Sequence, residues 1–198
     1  MALTPALYLI PVNISDEPLS NVLPAGNINI VREIRHFIVE NVRTARRFLK
    51  KCDRRIDIDT LTFHELNAHT DLTEVSSWLD PLRSGEPVGV MSEAGCPAVA
   101  DPGSLAVAIA HRDGLRVIPL VGPSSIIMAL MGSGFNGQSF TFHGYLPVDD
   151  AARARALREL ESRSQRDGST HIFIETPYRN NRMMQTLTSA LKGHTMVC

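Results

Sequence analysis

The stretch 88–103 (VGVMSEAGCPAVADPG) limits the folds open to this chain more than any other. Its apolar start, Val88–Met91, stops at Ser92, and glycines and prolines then recur as far as Gly103. This pattern predicts a buried strand that enters a long, shaped loop. The same order of elements then repeats as a helix, a strand and a second helix capped by a serine: 104–111, 115–120 and Ser124. The order predicts a parallel α/β sheet, in which ligands bind beyond the carboxyl ends of strands.

Composition excludes several classes of protein. With 43% hydrophobic and 21% charged residues, the 198-residue chain has the profile of an ordinary globular protein. Its apolar N-terminus is short and lacks a basic flank, so we expect a first strand there and neither a signal peptide nor a membrane span. Cys52, Cys96 and Cys198 share no metal-ligand spacing with the histidines, so we expect no disulfide framework, no metal site and a cytoplasmic setting. A net charge of −1 argues against a surface that is basic throughout, but it leaves a local basic patch open.

Polar side chains follow the other predicted strands of the first half, 6–12, 36–40 and 59–64. Glu40 ends the second of these strands. The third leads into one polar cluster, formed by His64, Glu65 and Asn67. A lone histidine is more often structural, but a plain loop does not need this cluster. We therefore expect a site at this edge of the sheet.

A basic helix is predicted after Glu40, with Asn41 as its N-cap. Seven of the thirteen positions 43–55 are Lys or Arg, and five of them share one face: Arg43, Arg46, Arg47, Lys50 and Arg54. Such a face is usually just solvated. No acidic residue lies between Thr44 and Cys52, which favours the alternative that the face binds phosphate.

The remaining periodicities complete a two-part chain. Residues 71–84 predict an amphipathic helix, with Leu72 and Trp78 in its buried stripe and Gly85 as its stop. The second half then predicts two strands and two helices: 140–145, 151–165, 170–175 and a helix capped by Asn180. Because that last helix is uncovered and is followed by a polar tail, we expect a further C-terminal portion.

Five motifs occur in order along the chain: SEAGCP (92–97), DPG (101–103), GPSS (122–125), GYLP (144–147) and ETPYR (175–179). Each is weak alone. Together they resemble the tetrapyrrole methylase superfamily of AdoMet-dependent methyltransferases, and most closely the branch that 2′-O-methylates a ribose in small-subunit (16S) ribosomal RNA. The resemblance implies two α/β domains, with a mainly parallel sheet in 1–120 and a mixed sheet in an incomplete 121–198. It also implies AdoMet as cofactor and a homodimer.

The resemblance carries site residues over by position. Those matching the family's cofactor-contacting segments are Pro11, Asn13, Ser92, Glu93, Ala94, Gly95, Val99, Ala100, Ser124, Ser125 and Glu175. Glu40 and Arg43 match its Glu-Asp-Thr-Arg segment, which faces the substrate. The cluster at 64–67 matches its His-Glu-x-Asn.

This chain departs from the family pattern at several of these positions. The loop after the first strand, 13–18, lacks the family's Gly-Asn-Leu-Gly-Asp-Ile. Glu40-Asn41-Val42-Arg43 replaces Glu-Asp-Thr-Arg, and Glu93 and Cys96 replace the usual Asp and Thr. These changes bear more on the RNA substrate than on the fold or the cofactor.

The chemistry implied is methyl transfer to a ribose hydroxyl, which is a poor nucleophile and benefits from a positioned proton acceptor. We nominate Glu40 or His64 as that acceptor, Glu65 as an orienting group and Arg43 as a holder of phosphate or ribose. Further contacts with RNA are expected from Arg46, Arg47, Lys50 and Asn67.

Two other hypotheses stay open at this stage. One is methylation of a small tetrapyrrole or corrinoid, for which a basic helix is less needed. The other is a catalytically silent binding protein on the same scaffold. A nicotinamide- or nucleotide-binding α/β protein is disfavoured, because no dinucleotide glycine turn or phosphate loop occurs in the sequence.

Overall fold

A computed structural model describes residues 3–67 and 70–198. The chain divides into two compact units, the first ending at Ser124 and the second covering Ser125–Cys198. In the described part of the chain, no helix is long and apolar enough to cross a membrane. Among the same residues, no group of three or more His, Cys, Asp or Glu side chains is arranged to hold a metal ion.

Strands and helices alternate in the first unit. Its elements are β1 (Leu7–Leu9), α1 (Leu19–Val22), α2 (Ala25–Glu33), β2 (His36–Val39), α3 (Val42–Cys52), β3 (Thr62–Glu65), α4 (Asp80–Arg83), β4 (Val88–Met91), α5 (Gly103–Arg112) and β5 (Val117–Pro119). The five strands pair in the order β3-β2-β4-β1-β5, and every pair is parallel. The predicted α/β class and the parallel N-terminal sheet are confirmed.

The two faces of this sheet bury alternate residues of the strands. Tyr8 and Phe37 pack into one core with side chains from α1, α2 and α3. Leu7 and Ile38 point the other way, into a second core with α4 and α5. The helices that follow the adjacent strands β1 and β4 therefore cover opposite faces of the sheet. Such a topological switch point leaves a crevice at the carboxyl ends of the two strands, where α/β proteins bind ligands.

The helix predicted for 71–84 is wrong. The structure has turns there, then a 3₁₀ turn (Ser77–Leu79) and only the short α4. Asp71 Oδ1 accepts hydrogen bonds from the backbone N–H (3.0 Å) and the hydroxyl (2.7 Å) of Thr73, which favours a turn. Pro81 has no N–H with which to continue a helix from the preceding turn. Leu72 consequently lies outside the core, with 60% of its surface exposed.

The second unit contains α6 (Ser125–Ser133), β6 (Phe140–Tyr145), α7 (Asp150–Asp167), β7 (Thr170–Ile174) and α8 (Asn180–Ala190). β6 and β7 run parallel and form a two-stranded sheet, not the mixed sheet expected. The reason is the connection: α7 crosses over between the strands, which returns the chain in the same direction. Asn180 is the first residue of α8, so its predicted role as N-cap is wrong, and Arg179 occupies the cap position.

Candidate functional site

The loops after β1 and β4 are joined at the switch point. Val12 N–H donates to Gly95 O (2.9 Å), and Gly95 N–H donates to Val12 O (3.0 Å). Gly95 has φ +74°, and a side chain there would meet Ile14 and the Pro123 carbonyl at 3.5 and 3.6 Å. This closed bridge brings the predicted cofactor segments at 11–13 and 92–95 together.

The loop after β4 is held in an unusual conformation. Ala98 and Ala100 have φ of +66° and +60°, a region that non-glycine residues seldom occupy. Asp101 Oδ1 fixes the loop by accepting from the N–H groups of Ala98 (3.0 Å) and Gly103 (2.7 Å). Its Oδ2 is buried and has no hydrogen-bond partner within the described residues, and burial raises the pKa of Asp101. Backbone strain of this kind concentrates at functional sites.

The loop after β5 packs tightly against the other two. A Cβ on Gly122 would lie 2.2 Å from Pro11 Cβ, so only glycine fits without movement. Cys96 Sγ lies 3.3 Å from the Pro123 carbonyl, and Asn27 Nδ2 donates to Val121 O at 2.8 Å. Ser124 ends this loop and the first unit, and Ser125 opens α6 in the second.

Glu40 faces the loop after β4. Its Oε2 accepts from the backbone N–H of Glu93 at 3.1 Å. Glu93 Oε1 in turn accepts from the hydroxyl of Thr44, in the first turn of α3, at 3.3 Å. Burial raises the pKa of Glu40, the Glu93 N–H opposes this, and the nearby negative charges of Asp101 and Glu93 add to the increase. One chain of contacts thus links the predicted cofactor loop to the basic helix.

Glu65 is engaged at the N-terminus of α3. Its Oε2 accepts from Val42 N–H at 3.2 Å, and its Oε1 accepts from Asn67 Nδ2 at 2.8 Å. Asn41 satisfies a further helix N–H, that of Thr44, at 3.1 Å, which confirms its predicted role as N-cap. Carboxylates stabilise the positive end of a helix dipole. These contacts give Glu65 a role in holding α3.

His64 lies in a different environment from Glu40. Its ring stacks on buried Trp78, with centroids 5.0 Å apart and an angle of 11° between the planes. Burial lowers the pKa of His64, and the charge of His36 lowers it further. The structure therefore separates the two predicted proton acceptors by their surroundings.

The basic face of α3 is exposed. In the residues that the structure describes, Arg43, Arg46, Arg47 and Lys50 form no salt bridge. The Arg46 guanidinium lies 5.4 Å from the Phe63 ring centroid. Lys50 Nζ donates to two carbonyls at the end of the helix, at 3.1 and 2.6 Å. The face thus presents cations that no carboxylate of the described residues neutralises.

Three carboxylates at the switch point likewise have no cationic partner among the described residues. Glu40, Glu93 and Asp101 form no salt bridge within 3–67 and 70–198. In the second unit, by contrast, Glu175 is paired with Arg179 at 2.7 Å. Burial acts to raise the pKa of Glu175, but the Thr176 N–H and the Arg179 charge outweigh it and hold this pKa below its usual range. A cationic ligand would complement the negative charge of Glu40, Glu93 and Asp101.

Sequence comparison identifies the chain's relatives. A protein from Vibrio cholerae named ribosomal RNA small subunit methyltransferase I is 31% identical over 98% of this chain and 63% of its own length. The protein of that name from Thermotoga maritima is 31% identical over 85% of this chain and 74% of its own length. This chain belongs to that family. The family confirms the resemblance read from the motifs, although no family model matches the chain.

The chain spans part of most of these relatives: 63% of the Vibrio cholerae protein and 55% of the one from Micromonospora olivasterospora, which is 34% identical. A crystal structure described as the methyltransferase CobJ superposes with a TM-score of 0.60 and 16% identity, covering 94% of this chain and 77% of that one. At this identity the superposition establishes the fold alone.

The sequence assigns no role to two residues of the site, Thr44 and Asp101, although Asp101 belongs to the DPG motif. Thr44 carries the contact between α3 and Glu93, and only the pairing of distant segments reveals it. Asp101 fixes the strained loop. Its position just before Pro102-Gly103 at a predicted helix start was the available signal, because Asp favours turns and helix N-termini there.

Proposed function

We propose that the protein is an AdoMet-dependent methyltransferase that methylates a ribose 2′-hydroxyl in small-subunit ribosomal RNA. The observation that carries this proposal is the contact chain from Glu40 through Glu93 to Thr44, which joins the loop at the switch point to the basic helix. A carboxylate thereby stands between a candidate cofactor loop and a candidate RNA-binding face. The names of the relatives support the same substrate class.

The residues at the switch point suit AdoMet. When bound, AdoMet supplies a methyl group activated by a sulfonium cation. Glu40, Glu93 and Asp101 form no salt bridge within the described residues, and their negative charge favours a cation. The residues that would hold the cofactor in this unit are Pro11, Asn13, Ser92, Glu93, Ala94, Gly95, Val99, Ala100 and Ser124. Ser125 and Glu175 are the candidates in the second unit.

Glu40 is the better candidate for the proton acceptor. Its raised pKa brings the carboxylate closer to the basicity that proton abstraction from a hydroxyl needs. His64 is stacked on Trp78, which favours a structural role. Arg43 is exposed in the first turn of α3, and its proposed role is to hold a phosphate or ribose. Glu65 orients that turn by accepting from Val42 N–H.

The basic face of α3 would bind the RNA backbone. Arg46, Arg47 and Lys50 are exposed along it, and Asn67 lies beside Glu65 near its N-terminal end. Phosphate contacts of this type position a strand without reading its sequence. They also neutralise phosphate charge that the carboxylates of the site would otherwise repel.

We also propose a homodimer, working in the cytoplasm where ribosomal subunits are found. The apolar helix α6 supports the dimer, because none of its described residues is buried and Met128 and Met131 expose 54% and 77% of their surface. Exposed apolar surface of this kind is typical of an interface. Light scattering behind gel filtration tests it, and a monomer at micromolar concentration would contradict it.

The function is tested by transfer of labelled methyl from AdoMet to purified small ribosomal subunits, followed by nuclease digestion to locate the modified nucleoside. A 2′-O-methylated ribose is the expected product. A folded chain that binds AdoMet but leaves the RNA unmodified would contradict the substrate. Tetrapyrroles would then be tried next, and the hypothesis of a silent binding protein would follow.

A further inference from the structure

The second unit contains a polar cleft that the proposed reaction does not use. Its volume is about 530 Å³. The cleft lies between the C-terminal half of α7 and the strands β6 and β7. Its walls carry two guanidinium groups, two carboxylates, one imidazole and four hydroxyls, from Arg163, Arg166, Glu159, Asp167, His171, Ser139, Thr141, Ser162 and Ser169. Charged groups of both signs and several hydroxyls therefore meet on one concave surface.

A chain of hydrogen bonds runs along the strand side of the cleft. His143 Nε2 lies 3.0 Å from His171 Nδ1, and His171 Nε2 lies 3.4 Å from Ser169 Oγ. Ser169 Oγ donates to Asp167 Oδ1 at 2.5 Å, and this bond holds the pKa of Asp167 below its usual range. An ionised Asp167 only accepts, so one proton arrangement satisfies the chain: His143 donates to His171, and His171 donates to Ser169.

The same arrangement occupies acceptors and leaves donors available. Asp167 Oδ1 also accepts from Ser169 N–H at 3.0 Å. In the described part of the chain, the hydroxyls of Thr141 and Ser162 make no hydrogen bond, and Arg166 has only a loose ion pair with Asp167 at 3.6 Å. Each guanidinium offers five N–H donors. Asp167 Oδ1 and Glu159 are already engaged, so the donors that stay available favour a ligand that accepts hydrogen bonds.

Arg163 has a closer carboxylate partner than Arg166. Its guanidinium pairs with Glu159 at 2.5 Å, but the two side chains are 46% and 63% exposed. An exposed ion pair is weak, so a ligand with two acceptor oxygens can replace the carboxylate. Arg163 and Arg166 are three residues apart on one face of α7 and can act on the same ligand.

We propose that this cleft binds a phosphate oxyanion, carried either by an RNA backbone or by a small phosphorylated molecule, with Arg163 and Arg166 as its cations. Guanidinium forks match the paired oxygens of phosphate, and the hydroxyls of Thr141 and Ser162 supply neutral donors. The oxyanion site does not depend on the proposed methyl transfer. Its use for an RNA backbone does rest on that proposed function.

The test uses inorganic phosphate as the probe and the imidazole NMR signals of His143 and His171 as the readout, in the full 198-residue chain. We expect saturable shifts, because an added negative charge beside Arg163, Arg166, Asp167 and Glu159 alters the field at both rings. Substituting Arg163→Gln and Arg166→Gln together should weaken phosphate binding by about tenfold or more.

Arg158→Gln is the matched control, since Arg158 is exposed on the same helix and does not line the cleft. It should bind phosphate like the parent chain. Absence of a saturable shift, or equal binding by the double variant, would overturn the proposal. If thermal unfolding shows that the double variant does not fold, Arg166→Gln alone should still weaken binding severalfold.

A short single-stranded RNA then identifies the source of the phosphate. Competition between the RNA and inorganic phosphate at the histidine signals supports a backbone contact. A phosphate site that RNA does not compete for overturns the RNA assignment and points to a small phosphorylated ligand. Since no step requires methyl transfer, an inactive enzyme leaves this test unaffected.

Discussion

The substitution Gly122→Ala tests how closely the loops at the switch point are packed. The added Cβ would lie 2.2 Å from Pro11 Cβ, 2.4 Å from Pro11 Cγ and 3.3 Å from Leu23 Cδ2. Carbon atoms in contact are normally about 3.5 Å apart, so the loops after β1 and β5 must separate by about 1.3 Å. The Pro11 ring is stiff and cannot swing away as a flexible side chain would. Overpacking of this kind costs about 1–3 kcal/mol.

The assay is urea and thermal unfolding followed by the fluorescence of Trp78, the single tryptophan of the chain. Because Trp78 is buried in the first unit, its signal reports the unit that contains the substitution. For a chain of this size, the expected destabilisation lowers the melting temperature by roughly 2–12 °C. AdoMet affinity should fall as well, since Pro11 belongs to the proposed cofactor site.

Gly26→Ala serves as the matched control in the same unit. Gly26 lies in α2, and a Cβ there meets no atom within 4 Å. Alanine is the better helix former, so the change should be neutral or stabilise by up to about 1 kcal/mol. If the free energy of unfolding of Gly122→Ala lies within about 0.5 kcal/mol of that of the parent chain, the packing argument fails.

Three further predictions concern the helix α3 and its surroundings. Glu40→Gln should reduce methyl transfer by about 10²–10⁴-fold. The parent rate should fall as Glu40 is protonated. Because the pKa of Glu40 is raised, a pH–rate profile should place this fall at a higher pH than the pKa of an ordinary glutamate. Replacing Arg46, Arg47 and Lys50 by Gln should weaken RNA binding and flatten its logarithmic salt dependence by about 2, and unchanged binding would contradict the basic-face assignment. Asn41→Ala should cost about 1 kcal/mol in urea unfolding, and no loss would show that the Thr44 N–H finds another acceptor.

The Glu40 variant also carries a stability prediction with a definite sign. A carboxyl whose pKa is higher in the folded state stabilises the fold at pH values below its unfolded pKa, and this contribution is lost as the pH rises through the folded pKa. Above the folded pKa the ionised carboxylate therefore destabilises the fold. Glu40→Gln should be at least as stable as the parent there, while being far less active.

The sequence predicts the sheet well because its strands are short apolar runs that end at glycine, proline and polar residues. Val88–Met91 and His36–Val39 are strands of this kind, and each lies within a residue of its predicted bounds. The Asn41 cap is equally local, since the acceptor and the Thr44 N–H are three residues apart. Signals that act within one turn or one strand can be read without the fold.

Prediction from residue spacing fails where a contact outside the repeating pattern decides the local structure. Spacing placed Leu72 and Trp78 on one helical stripe, yet Asp71 and Pro81 break that helix and expose Leu72. Long-range contacts are equally hidden. The bond from Val42 N–H to Glu65 spans 23 residues and exists because β2 and β3 pair in one particular register.

The departures from the family pattern are structurally integrated. The loop after β1 has no glycine at 13–18, but Asn13 Nδ2 donates to Ser15 O at 2.6 Å and so shapes the turn with its side chain. Glu93 has one methylene more than the family's aspartate, and its carboxylate reaches the Thr44 hydroxyl while its N–H donates to Glu40. Both changes add contacts that hold the loops in place. They therefore fix the loops of the proposed cofactor site against one another and against the basic helix α3.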